Sequence, residues 1–171
     1  MKNLILFDFS NISDMKGWES VDDVVMGGRS ASTIQWLENG CLSFRGEVSL
    51  ENSGGFVQAA LDVKGTSVVD ASTYQGLMLE VYGNDEVYNL HLRTSDVWLP
   101  WQSYRASFKA TAGWHRVRLP FAEFDGYLIG APLNLKKLKR IGIVAIGRAF
   151  KADLCLASLA LYRDTPPPQI R

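Results

Sequence analysis

The run Asp22-Asp23-Val24-Val25-Met26-Gly27-Gly28-Arg29-Ser30 sets adjacent carboxylates, paired glycines and a hydroxyl between two strand-like segments. Successive carboxylates in a loop can aim at one hard cation or divide acid and base roles between them. An Asp ahead of a turn also accepts hydrogen bonds from the amides that follow, which fixes the loop without chemistry, and this is the weightier reading. Paired glycines admit positive φ or a very close approach to another surface. No helix follows Gly27-Gly28 to offer its N-terminus to phosphates, so the pair is not a dinucleotide fingerprint.

A second glycine-rich segment, Glu51-Asn52-Ser53-Gly54-Gly55-Phe56, also stands just before a strand. If the strands carrying the two segments are neighbours, Asp22, Asp23, Met26, Gly27, Gly28, Ser30, Asn52, Gly54, Gly55 and Phe56 gather at one rim. Arg93 is then available as a charged partner for Asp22 or Asp23. The alternative is two independent turns with bulges. A third candidate is Trp98-Leu99-Pro100-Trp101, followed by Tyr104, because two indoles in a connection are costly to expose without a use. Such rings serve as sugar-stacking platforms or as protein-contact anchors, and loops also fold a Trp back over a sandwich edge.

Other chemistries lack their residues. There is no Gly-x-Ser-x-Gly elbow, and His91 and His115 stand in or at the start of strands beside polar neighbours, read as structural or surface histidines. Cys-x-x-Cys, His-Glu-x-x-His and EF-hand spacings are missing as well. The expectation is a chain that is not an enzyme, with no catalytic residue, no metal and no cofactor.

The elements that must position these residues are strands. Apolar residues recur with a period near two almost throughout, rich in β-branched and aromatic types and punctuated by Gly, Asn and Asp. Strands are predicted at 4–9, 30–37, 41–48, 55–63, 76–82, 87–93, 104–108, 114–119, 140–146 and 154–163. Asn39-Gly40 marks a hairpin. Tyr88, Leu90 and Leu92 alternate with Asn89, His91 and Arg93, so the two sets occupy opposite faces. Leu154 and Leu156 are out of phase with Leu159 and Leu161, which requires one extra residue, a bulge, near Ala157-Ser158. Only short turns around 67–74 and 133–139 could be helical. An all-β chain, an antiparallel β-sandwich of jelly-roll type, is the best fit.

At 171 residues, 47% hydrophobic and 21% charged, the chain suits one domain, expected over 1–164, with a flexible Pro-rich tail at 165–171. A formal net charge of zero provides no basic field for nucleic acid or an anionic membrane. No segment has the ~18 consecutive apolar residues of a membrane span, and the first residues lack the ~7-residue apolar region of a signal peptide. A cytoplasmic setting is expected by default. Cys41 and Cys155 lie far apart in apolar runs and are read as buried thiols rather than a disulfide.

Several runs together resemble one family. They are Trp18 with Asp22 to Ser30; Phe44-Arg45-Gly46-Glu47-Val48-Ser49; Asn52-Ser53-Gly54-Gly55-Phe56; Tyr74-Gln75-Gly76-Leu77; Tyr88 to Arg93; Trp114 to Phe121; Phe124; and Ile141-Gly142. In this order, up to about Tyr162, the chain resembles the complex I intermediate-associated proteins, the thirty-kilodalton type of NADH:ubiquinone oxidoreductase assembly factor. The resemblance implies a galactose-binding-like jelly roll and, as in the mitochondrial members, a non-catalytic chaperone that holds membrane-arm intermediates of complex I. Two departures stand out: Ile129-Gly130 replaces the usual Arg-Gly after the Pro-Phe segment, and Phe150 to Leu154 replaces the late Gly-Pro-Phe turn. With no transit peptide ahead of it, the chain is expected to be a stand-alone bacterial domain.

Two functions from different classes follow as expectations. In the first, a binding or assembly module uses the 22–30 loop, the 52–56 segment and Arg93 to grip a protein partner, respiratory complex I subunits or intermediates among the candidates. In the second, a jelly roll binds a carbohydrate, with Trp98, Trp101 and Tyr104 stacked on the ring and Asp22 or Asp23 accepting its hydroxyls.

Overall fold

The computed structural model describes residues 3–9, 12–23, 28–51, 55–63 and 68–163. These form two antiparallel sheets packed face to face, as the period-two pattern requires of strands that bury one side each. The strands are β1 (Leu4–Phe7), β2 (Glu19–Asp22), β3 (Ala31–Leu37), β4 (Cys41–Val48), β5 (Phe56–Asp62) and β6 (Gly76–Tyr82). They continue with β7 (Glu86–Thr94), β8 (Ser103–Ala110), β9 (Trp114–Pro120), β10 (Asp125–Tyr127), β11 (Leu138–Ile146) and β12 (Phe150–Tyr162). One sheet runs β3-β4-β12-β6-β9 with β1 also on β12, and the other runs β10-β8-β7-β11-β5-β2.

The core lies between the sheets. Leu42 and Phe44 from β4, Leu77 and Leu79 from β6, Tyr88, Leu90 and Leu92 from β7, and Ile141 and Ile143 from β11 are all fully buried in one cluster. The register of β12 on β6 shifts between Leu156 and Ser158, where two out-of-phase leucine sets predicted a bulge. The β3–β4 hairpin closes at Asn39-Gly40, with the Gly40 amide donating to the Leu37 carbonyl at 2.9 Å.

Two short edge strands were not legible as periodic runs. Glu19–Asp22 pairs with β5 and Asp125–Tyr127 pairs with β8, each too brief for alternation to show. Asp22, read as a loop residue, is therefore the last residue of β2.

A second correction concerns the cysteines, which are disulfide-bonded, with Cα atoms 5.7 Å apart. Cys41 lies on β4 and Cys155 on β12, neighbours in one sheet, and both point away from the leucine-bearing inner face. Their separation of 114 residues in sequence hid a proximity that only strand order creates.

Candidate functional site

Asp23 follows β2 directly and is completely buried. Its Oδ1 accepts from the Ser30 amide at 2.8 Å, and its Oδ2 accepts from the Ser30 hydroxyl and the Gly55 amide, both at 2.5 Å, and from the Phe56 amide at 3.2 Å. The Ser30 hydroxyl accepts in turn from the Ser49 amide at 2.8 Å. Burial pushes the Asp23 carboxyl up, but the bonds from Ser30, Gly55 and Phe56 outweigh it and hold the group below the ordinary carboxylate value. It stays charged and acts as a clasp between the two glycine-rich segments.

The glycines fit that clasp. A Cβ on Gly28 would overlap the Asp23 carboxyl group, so only glycine lets the returning chain pass there. Gly55 sits at φ 147°, a backbone conformation that side-chain-bearing residues rarely adopt, and from there it aims its amide at Asp23. Met26, Gly27, Asn52 and Gly54 lie outside the described residues.

The two segments therefore do meet, but Arg93 does not join them. Arg93 on β7 faces Arg140 on β11, while Asp22 pairs with Val57, a core residue of β5. Cross-strand partners share a face, so Asp22 and Arg93 stand on opposite faces of the sheet, with β11 and β5 between their strands. Asp23's acceptors are taken by the residues just named. The expected pairing of Arg93 with Asp22 or Asp23 is overturned, because strand order decides side-chain neighbours that sequence order does not.

Arg93 belongs instead to the open face of the β7–β8 pair. Arg105 lies opposite His91 on the neighbouring strand, and Arg93 is two residues further along on the same face. The Arg93 guanidinium donates to the Leu99 carbonyl at 3.4 Å. Arg105 donates to the Ser103 hydroxyl at 2.8 Å and the Trp101 carbonyl at 3.4 Å, and it stacks on the Tyr127 ring at 3.7 Å. His91 is only 9% exposed, and burial, reinforced by the Arg105 charge, pushes its pKa down to about 3.

These arginines hold the β7–β8 connection from beneath, and Asp96 pins it from the side through Asn134 at 3.1 Å and Lys137 at 3.2 Å. Trp98, 88% exposed, and Trp101, 51% exposed, project from this fixed rim, with Leu99 between them. Tyr104 does not belong with them. It is buried, and its hydroxyl donates to the backbone carbonyls of Ala131, at 2.9 Å, and Pro132, at 3.2 Å, so the expected stacking role is overturned.

The other sheet carries a groove that sequence reasoning missed. Tyr82 and Trp114, cross-strand partners on β6 and β9, form an edge-to-face pair at 5.7 Å on its outer face, each about half exposed. They line a depression of about 320 Å³ together with Asn39, Ser43 and the Arg45–Asp153 ion pair. The signal was the outward phase of both aromatics in their strands, but nothing in sequence brings 82 beside 114. Among the described residues no group of three or more His, Cys, Asp or Glu side chains could hold a metal, and no helix is long and apolar enough to cross a membrane.

A family model described as Complex I intermediate-associated protein 30 (CIA30) matches residues 7–156. No curated protein matches by sequence. Among solved structures, the family 11 carbohydrate-binding module of a cellulosomal cellulase of Clostridium thermocellum is similar, with TM-score 0.73 and 12% identity over 96% of each chain. The family 30 carbohydrate-binding module of another cellulosomal cellulase of that organism has TM-score 0.65 and 13% identity, covering 97% of this chain and 100% of that one. An agarase has TM-score 0.69 and 10% identity over 96% of this chain and 25% of its own. At such identities the likeness establishes the fold, a jelly-roll sandwich.

Proposed function

Since the chain belongs to the complex I intermediate-associated protein 30 family, we propose that it is a non-catalytic binding and assembly module that grips a protein partner. The observation that carries this reading is the rim of Trp98, Leu99 and Trp101, exposed yet held by Arg93, Arg105 and Asp96. Exposed tryptophans beside arginines have the composition of interface hot spots. Asp23 serves by fixing the loops from inside, and respiratory complex I subunits are the first partners to test. Affinity purification of the full chain from cells that make complex I should recover those subunits. Trp98→Ala with Trp101→Ala should cut recovery at least tenfold, and a purification with no enriched partner would defeat the reading.

The carbohydrate alternative is favoured by a different observation, the Tyr82–Trp114 groove. Its paired rings border amide, hydroxyl and ion-pair groups, the mixture that neutral sugar rings require. A glycan array should then respond, and Tyr82→Ala or Trp114→Ala should abolish the response. An array silent toward the unaltered chain removes this alternative.

A further inference from the structure

Charge compensation on the open face of the β7–β8–β11 strands is uneven. Arg140 is paired with Asp62 at 3.1 Å and Glu19 at 2.9 Å. Arg93 and Arg105, its neighbours on that face, bond carbonyls and a hydroxyl and stack on a ring, and neither has an ion pair among the described residues, although the Asp62 charge also reaches Arg93. Neutral acceptors orient a guanidinium but do not neutralise it. The Arg93 Nε–H and the His91 Nε2 are moreover buried with no hydrogen-bond partner. Such groups normally find partners, because each one left unmade carries a desolvation penalty.

Strand register puts these three groups on one face. Arg105 stands directly across from His91, a spacing of about 5 Å, and Arg93 lies two residues from His91 on the same face, about 7 Å along the strand. An anion approaching this face meets two cationic forks above a buried, uncharged imidazole. Two guanidiniums without ion pairs do not make the extended track that a nucleic-acid backbone needs, and the chain's net charge is zero. Arg planarity suits a carboxylate, and the same two arginines carry the exposed Trp98–Trp101 rim.

We propose that this face takes a carboxylate of an acidic protein segment, held between Arg93 and Arg105 beside His91, with the segment's apolar side chains against Trp98 and Trp101. The proposal rests on the protein-docking reading above and names the chemistry of the partner. A sugar acid would offer the same carboxylate, but an arginine pair bordered by the exposed apolar rim of Trp98, Leu99 and Trp101 favours a polypeptide.

The test is selection of a random peptide-display library on the immobilised full chain, followed by affinity measurement of the selected peptides. Selected peptides should carry Asp or Glu beside Leu, Phe or Trp. Replacing that acid by its amide in the peptide should weaken binding to the unaltered chain at least tenfold at low salt, and the difference should shrink at high salt. Arg105→Gln and Arg93→Gln should each remove most of the same advantage. The peptide replacement leaves the protein untouched, so it decides the matter even if a variant rearranges the connection. Peptides that bind independently of acid but still require Trp98 and Trp101 overturn the carboxylate site and leave the docking reading standing. Peptides that require neither overturn both, as does an unenriched library with oligogalacturonate binding that depends on Arg93 and Arg105.

Discussion

A carboxylate buried without a counter-charge is tolerable only if donors replace its water, and Asp23 draws four hydrogen bonds from three residues. Asp23→Ala would leave the amides of Ser30, Gly55 and Phe56 without their acceptor and should cost about 3 kcal/mol in urea denaturation. Because the folded-state pKa is depressed below 3.8, its contribution is present above that pH and is lost as pH falls through the folded value. His91 acts in the same direction by another route. Its folded pKa of about 3, against 6.5 ordinarily, means that the unfolded chain binds the extra proton first, so stability falls as pH drops from about 6.5 toward 3. The slope approaches about 1.4 kcal/mol per pH unit. His91→Gln should flatten stability between pH 6.5 and 4.5, and an NMR titration showing His91 protonated at pH 5.5 would contradict the burial argument.

At the scale of elements, neighbouring strands are tied by more than their ladders. Arg140 on β11 bridges Asp62 on β5 and Glu19 on β2, which fastens a four-residue edge strand too short to hold by itself. In the opposite sheet the Cys41–Cys155 bond links β4 to β12 across 114 residues, and closing a loop of that length in the unfolded chain is worth about 5 kcal/mol by loop entropy. Reductant should lower the thermal midpoint, and Cys155→Ser should reproduce that midpoint and become insensitive to reductant. Thiol trapping in intact cells examines the cytoplasmic setting expected from the sequence as well, because a reducing compartment would leave both thiols open to labelling.

The whole molecule sets two candidate surfaces back to back. The Trp98–Trp101 rim and the arginines belong to one sheet, and the Tyr82–Trp114 groove lies on the outer face of the other, with the full core between them. Sites so separated should act independently. Partner recovery by affinity purification should therefore be unchanged in a Tyr82→Ala/Trp114→Ala variant, and any glycan response unchanged in Trp98→Ala/Trp101→Ala. Loss of both by either pair would mean a shared surface or a global disturbance, separable by the variants' thermal midpoints.

Sequence alone determined what depends on near neighbours in the chain. Alternation settled which residues of β7 face the core, Asn39-Gly40 settled a hairpin, and the phase slip between Leu156 and Leu159 located a bulge, because side-chain direction in a strand is fixed by a period of two. The same locality made the two glycine segments conspicuous, each beside its own strand. Which strands lie side by side was decided only by tertiary packing, since pairing across 30 to 120 residues leaves no mark in either partner. That ordering joined Cys41 to Cys155 and Tyr82 to Trp114, turned Asp23 inward to its donors, and carried Arg93 away from the acidic pair to share a face with Arg105.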